Sequence, residues 1–314
     1  MTIRLKRRFQ KKAKSGRAFF STSVLALIAS AGLMQTMAFA EIEPPKERII
    51  TTSNVLTQVV VALGKEAELV GVDTTSRTTP SLKKLPDVGY RLALSTEGIL
   101  SLKPTLILIA EGAGPQNVLD QVARSKVPQL MIDELNSVED IVAMTEKISS
   151  ALGVASRGEQ LATSVEISAE QLQSVVAKRP NYRGYFIMQE AGGKGSVSIS
   201  GRDTSADKML ALLGVENLFD SDFNNYKSVS MEGQMEKRPD LVFIGSRRDF
   251  ASESLDQIAP FKHLTKGMKE WPAKLQPKCV FELDMSRYLV YGIHIFDEVL
   301  ALREAVDACM TEAK

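Results

Sequence analysis

The sequence predicts an α/β protein of two similar lobes with parallel-rich sheets, joined by one long interdomain helix. Three observations predict it. Short β-rich runs alternate with helical ones, a signature recurs at a fixed offset, and an unbroken amphipathic stretch separates the two copies. In order, residues 48–52 read as a strand and 54–63 as a helix that stops at Gly64, a C-terminal signal. Residues 69–72, 105–110 and 129–132 read as strands, with helices over 116–123 and 138–152. The same grammar restarts near Tyr182. Residues 184–188, 241–244 and 280–283 read as strands, 206–213 as a helix closed by Gly214, and 296–309 as the final helix.

The recurring signature is Ser95-Thr96-Glu97-Gly98 ahead of Leu106-Ile107-Leu108-Ile109, matched by Ser230-Met231-Glu232-Gly233 ahead of Leu241-Val242-Phe243-Ile244. Ser95/Ser230, Glu97/Glu232, Gly98/Gly233 and Pro104/Pro239 share one offset of 135 residues. Each copy reads as a Ser N-cap, an acidic residue in the first turn of a short helix, and a Pro that ends the helix before a buried strand. Between the copies, residues 156–178 set Leu161, Val165, Ile167, Leu172, Val175 and Val176 among polar residues, with no Gly or Pro after Gly158. These 23 residues form one amphipathic helix spanning roughly 35 Å at about 1.5 Å per residue. The expected organisation is a signal peptide over 1–40, a lobe over 41–155, the connecting helix over 156–179 and a second lobe over 180–314, with a cleft between the lobes.

The 314 residues carry 39 Lys+Arg and 38 Asp+Glu, a formal charge of +1. Eight basic residues and no acidic ones lie in the first 40 positions; without them 31 basic residues face 38 acidic ones, a net charge of −7. An acidic body argues against binding the nucleic-acid backbone. Basic residues 1–17, an apolar stretch centred on Leu25-Ala26-Leu27-Ile28 and the small-residue site Ala38-Phe39-Ala40 make a secretory signal peptide, cleaved after Ala40. Ser21, Thr22, Ser23, Ser30 and Gln35 interrupt the apolar stretch and disfavour a membrane-spanning anchor. Arg7-Arg8 also permits twin-arginine export, and no Cys near the cleavage site offers a lipid anchor. The expectation is a soluble monomer outside the cytoplasm.

The only cysteines are Cys279 and Cys309. In an oxidising compartment they permit a disulfide; two buried free thiols are the alternative. With His263 and His294 as the only histidines, a Cys-rich or three-His metal site is excluded. The absence of G-x-S-x-G, H-E-x-x-H and a Walker loop points away from an enzyme.

A set of landmarks then becomes specific through its order and spacing. It comprises Gly71-Val72-Asp73-Thr74-Thr75-Ser76, Val88-Gly89-Tyr90, Leu94-Ser95-Thr96-Glu97-Gly98, Leu102-Lys103-Pro104, Glu111-Gly112-Ala113-Gly114-Pro115, Ser200-Gly201-Arg202-Asp203-Thr204-Ser205-Ala206-Asp207 and Tyr226-Lys227. In these the chain resembles the periplasmic haem-binding proteins of bacterial ABC importers. These are helical-backbone periplasmic binding proteins, with siderophore and cobalamin binders as cousins. The resemblance implies that Tyr90 is the axial ligand of ferric haem, and a phenolate is a hard oxygen donor suited to Fe(III). A free phenol ionises near pH 10, so a neighbouring cation would help. Arg91 is the candidate cation. The family pattern has Arg two residues after Tyr, where this chain has Leu92, and adjacent residues of an extended segment point to opposite sides.

For the haem propionates the resemblance implies Arg248, with Arg247 beside it and Lys227 and Arg202 as further candidates. Gly112 and Gly114 lack the bulk that would keep a flat macrocycle from the backbone. Residues 188–194 supply no His as a second ligand, and Met188 is a poor match for phenolate-bound ferric iron, so five-coordinate iron on Tyr90 follows. Glu97 and Glu232 are implied to dock on the two subunits of an inner-membrane ABC haem permease. The implied function is that of a non-enzymatic carrier that captures haem in the interlobe cleft and delivers it to the permease. A ferric-siderophore or cobalamin binder on the same fold is the alternative, and a periplasmic hydrolase or haem-degrading enzyme the distant one.

Overall fold

A computed structural model describes residues 47–188, 197–246, 269 and 271–313. The signal peptide and the cleavage site after Ala40 lie outside the described residues. The chain enters through β1 (Ile49–Thr51), all buried, and turns into α1 (Asn54–Ala62), where the Ser53 side chain caps the helix at the Leu56 N–H. Then follow β2 (Leu69–Val72), a small hairpin of β3 (Gly89–Tyr90) and β4 (Ala93–Leu94), and α2 (Thr96–Leu100). The lobe's remaining elements are β5 (Leu106–Ala110), α3 (Gln116–Arg124) and β6 (Gln129–Ile132). The four long strands pair in parallel in the order β2-β1-β5-β6. Parallel strands covered on both faces read as unbroken apolar runs, and Ile49, Ile50, Ile107, Leu108 and Ile109 are at most 1% exposed.

Two helices follow. α4 (Val138–Ala151) starts in a capping box between Ser137 and Asp140, and α5 (Ala155–Val176) is the long connecting helix. The second lobe holds β7 (Tyr182–Met188), β8 (Val197–Ser200), α6 (Ser205–Leu213), β9 (Val215–Asn217), β10 (Tyr226–Val229), α7 (Met231–Glu236) and β11 (Leu241–Ser246). It closes with β12 (Cys279–Asp284), α8 (Met285–Tyr288) and α9 (Ile295–Glu312). The strand order is β10-β8-β7-β11-β12, with β9 beside the start of β7. β7, β11 and β12 are parallel, whereas β8 runs antiparallel to both its neighbours, β7 and β10.

The repeat has a backbone counterpart. Ser95 and Ser230 both cap their helices, accepting from the N–H of Gly98 at 3.0 Å and of Gly233 at 3.3 Å. Lys103 and Arg238, each just before the matching Pro, both have φ of 48°, an uncommon value for a side-chain-bearing residue. One apolar cluster runs from Leu56, Val72 and Leu108 through Val165 and Leu172 of α5 to Phe186, Phe243 and Val299 of the second lobe. Each such side chain stabilises by about 1.5–3 kcal/mol on burial, so both sheets are held to the same helix. Asn54 on α1 adds a direct bond between lobes, donating to the Ser286 carbonyl at 3.3 Å.

Arg303 on α9 is fully buried. It donates to the Leu213 carbonyl at 2.8 Å, the Pro180 carbonyl at 2.6 Å and the Asp307 carboxylate at 3.1 Å, and lies 5.0 Å from the centre of the Tyr182 ring. Asp307 also accepts from Arg179 and, at 2.9 Å, from the Tyr182 hydroxyl. Burial alone would raise the Asp307 pKa, but the hydrogen bonds from Arg303, Arg179 and Tyr182 outweigh it and hold the carboxyl below its ordinary value. Cys279 and Cys309 are joined in a disulfide, Cα atoms 6.3 Å apart, which decides between pairing and free thiols.

Two predictions follow from these ties. A depressed carboxyl pKa gives stability that is complete above the unfolded value of 3.8 and is lost as pH falls through the lower folded value. Asp307→Asn should cost about 3 kcal/mol at neutral pH, because it leaves a buried guanidinium unpaired. That difference should shrink below about pH 4 in urea titrations run across pH. The double change Cys279→Ser with Cys309→Ser opens a link across 30 residues and should lower stability by about 3–4 kcal/mol, seen as a lower urea midpoint.

Candidate functional site

In the first sheet the chain leaves β1 toward β2 on one side, while β5 lies on the other. This is a topological switch point, where ligands of open α/β sheets bind outside the carboxyl ends of the strands. Three loops meet that end: residues 52–53 after β1, 73–77 after β2 and 111–115 after β5. Beneath them lies a buried polar network. The Thr51 and Thr57 hydroxyls are 2.6 Å apart, Thr57 reaches Ser76 at 2.8 Å, and Ser76 donates to Asp73. Asp73 also accepts from the Thr75 N–H at 3.0 Å and hydroxyl at 2.6 Å. Thr51, Thr57, Asp73 and Ser76 are fully buried, so these bonds satisfy groups that would otherwise be costly to bury.

On this base stands the β3–β4 hairpin that carries Tyr90. It is clamped to the loop after β5: Gly114 N–H donates to the Arg91 carbonyl at 2.9 Å, and Leu94 N–H to the Gly114 carbonyl at 2.8 Å. The Arg91 guanidinium donates to the Glu111 carbonyl at 2.6 Å. The structure thus brings Tyr90, Arg91, Gly112 and Gly114 together, with Arg91 Nη1 bonded to the loop. Two glycines are required for this. Gly89 has φ of +105°, and a Cβ there would stand 2.5 Å from the Ala93 carbonyl oxygen. Gly112 has φ of +68°, and a Cβ would stand 2.8 Å from Arg91 Nη1.

Tyr90 is 49% exposed and its hydroxyl has no hydrogen-bond partner among the described residues; Leu92, at the hairpin tip, is 54% exposed. The other five of the six tyrosines, Tyr182, Tyr185, Tyr226, Tyr288 and Tyr291, have their pKa values pushed up, in each case chiefly by burial. Burial disfavours the phenolate, so those five are poor anionic ligands.

Sequence reasoning missed Asp87. Its Oδ1 accepts from the Gly89 N–H at 2.9 Å and the Thr74 hydroxyl at 3.0 Å, and its Oδ2 faces Arg77 Nη1 at 3.4 Å. Arg77 also donates to the Lys83 carbonyl at 2.7 Å. The spacing Asp-x-Gly, an Asp able to bond the backbone two residues on, was the available signal.

The remaining predicted residues lie in the second lobe or on helix termini. Arg202 is paired with Asp220 at 3.2 Å, and this bond raises its pKa further. Lys227, on β10, holds its ammonium 5.6 Å from the centre of the Phe223 ring. Glu97 and Glu232 are exposed in the first turns of α2 and α7, and the Glu232 carboxyl is held below its ordinary value by its own backbone N–H and by Ser230. Arg247, Arg248, His263 and residues 189–194 lie outside the described residues; Met188 closes β7. A groove of about 980 Å³ opens elsewhere, beside α4 and α5, and none of the predicted site residues lines it.

Loops gathered at the carboxyl ends of a parallel sheet, in a two-lobed body pinned to one long helix, are the architecture of a substrate-binding protein. The chain belongs to the periplasmic binding protein family, which matches residues 49–263. It is similar to the periplasmic heme-binding protein RhuT from Roseiflexus sp. RS-1, with 28% identity and a TM-score of 0.70 over 84% of this chain and 99% of that one. It is equally similar to the periplasmic heme-binding protein BhuT in complex with two hemes, with 28% identity, the same coverage and a TM-score of 0.71. Among curated relatives, the vitamin B12-binding protein of Pectobacterium atrosepticum is 26% identical over 65% of this chain and 73% of its own length.

Gly89→Ala tests the strained hairpin directly. It should destabilise the protein by about 1–3 kcal/mol in thermal or urea melts, and a wild-type melting curve would refute the requirement for glycine.

Proposed function

We propose that this protein is a periplasmic carrier of haem, with the Tyr90 phenolate as the axial ligand to ferric iron. The observation that carries the reading is the Tyr90 phenol itself, half exposed and without a hydrogen-bond partner among the described residues, on a hairpin whose backbone is fixed at the carboxyl end of the first sheet. A macrocycle supplies four equatorial ligands, so one hard oxygen donor completes a five-coordinate ferric site. The similarity to RhuT and BhuT supports the choice of ligand. Arg248, Arg247 and Lys227 are proposed to meet the propionates. Arg202 is the weaker candidate because Asp220 already holds it. Glu97 and Glu232 are proposed to dock on the two subunits of an ABC permease, projecting from matching positions of the repeat. Residues 1–40 would direct export, and the mature protein would act as a monomer without catalysis.

A second reading, cobalamin, is favoured by the curated relatives named as vitamin B12-binding proteins. The two ligands make different demands, because cobalamin carries its own axial base and needs no protein phenolate.

The test is a titration of the mature protein with hemin and, separately, with cyanocobalamin, beside Tyr90→Ala. Haem should bind saturably with a high-spin, tyrosinate-type ferric spectrum. Tyr90→Ala should lose that spectrum and weaken binding roughly 100-fold, or about 2.7 kcal/mol. Saturable cobalamin binding with no response to hemin would reverse the assignment.

A further inference from the structure

The phenol at Tyr90 has no hydrogen-bond partner among the described residues, so its backbone must aim it. The direction of its ring depends on the backbone at Gly89, Tyr90 and Arg91. On the C-terminal side that backbone is tied to the loop after β5. On the N-terminal side the side-chain tie is the Asp87 carboxylate. We infer that Asp87 is a positioning residue for the Tyr90 ligand, acting through the Gly89 N–H and anchored to the loop after β2 by Thr74 and Arg77.

The geometry supports this in three respects. First, Asp87 is joined to the sheet itself: Val72 N–H donates to the Pro86 carbonyl at 3.1 Å, Val88 N–H to the Val72 carbonyl at 3.0 Å, and Val72 bridges Asp87 in parallel. Second, one oxygen accepts two donors, from Gly89 and from Thr74, which fixes both the hairpin entry and the loop that covers the buried Asp73 network. Third, the Arg77 pair is partly exposed, with 36% and 30% of the two side chains accessible. Solvent screens such a pair, so the hydrogen bonds, rather than the charge, hold the mount. A ligand supported in this way should respond to removal of its support as metal ligands respond to loss of an outer-shell partner, by about 10- to 100-fold in affinity.

This inference rests on haem being the ligand, and the experiment separates the two. Asp87→Ala, Asp87→Asn, Thr74→Val and the wild type are titrated with hemin, and backbone hydrogen exchange over residues 88–94 is measured without ligand. Thr74 is exposed, so Thr74→Val keeps the test alive should Asp87→Ala unfold. Asp87→Ala is expected to bind hemin about 10- to 100-fold more weakly, to shift the tyrosinate charge-transfer band and to exchange faster across the hairpin. Asp87→Asn keeps an acceptor oxygen for Gly89 and Thr74 and should restore most of both signals; Thr74→Val should weaken binding less than Asp87→Ala. Wild-type affinity, band and exchange in both Asp87→Ala and Thr74→Val would overturn the inference while leaving Tyr90 as ligand. Faster exchange without loss of affinity would overturn it too, reducing Asp87 to a stabiliser of the hairpin. A wild type that does not bind hemin would sink the haem reading first, and the positioning role with it.

Discussion

A guanidinium with none of its surface in water can persist only if protein groups replace its hydration, and Arg303 is such a group. Its partners come from three separate places: the last residue of α6, the connection that follows α5, and α9 itself. Pro180 lies two residues before β7, so the contact that solvates Arg303 also sets the direction in which the second sheet departs from the connecting helix. Asp307 supplies the countercharge and is shared with Arg179 and Tyr182. The disulfide holds α9 again two residues later, at the start of β12. Neither tie adds a side chain to the candidate site. Together they fix one lobe against the helix that carries the other.

The same economy appears at the hairpin, where backbone order and side-chain freedom are separated. A phenol packed into the core is pushed toward its neutral form, as the other five tyrosines show. A phenol on a floppy loop would lose entropy on capturing a ligand. At Tyr90 the main chain is bonded on either side while the ring stays half exposed to solvent. Arg91, which the sequence offered as the charge partner of the phenol, instead donates to the Glu111 carbonyl and so contributes to that backbone order.

Much of this was legible from residues alone. The unbroken apolar runs of β1 and β5 announced a covered parallel sheet, and the Ser-x-Glu-Gly repeat found its counterpart in two Ser caps and two left-handed residues before Pro. The connecting helix began one residue from its expected start and runs through Gly158, with no Gly or Pro after it to interrupt the amphipathic pattern. Antiparallel β8 and β10 were not read. Val197 and Ile199 alternate with Ser198 and Ser200, a period-two signal, but a four-residue run carries little weight against a parallel pattern around it. Pairing of the cysteines could not be fixed, since it depends on where α9 lies across β12. Asp87 escaped for a similar reason: the turn with Gly89 is local, but its partners Thr74 and Arg77 come from another loop.

The scaffold by itself does not choose a ligand. Heme-binding structures at 28% identity and vitamin B12-binding relatives at 26% share it with this chain, so selection must reside in side chains rather than in the fold. Haem and cobalamin are both tetrapyrrole-derived macrocycles. They differ at the metal. A ferric ion in an unligated macrocycle is a hard acid with an open position, whereas cobalt in cobalamin brings a base of its own. In the proposed reading, the Tyr90 phenol, without a hydrogen-bond partner among the described residues, answers the first demand and not the second. Under the proposed haem reading, the hydrogen bonds that order residues 87–94 hold an axial ligand rather than a surface that only stacks on a ring.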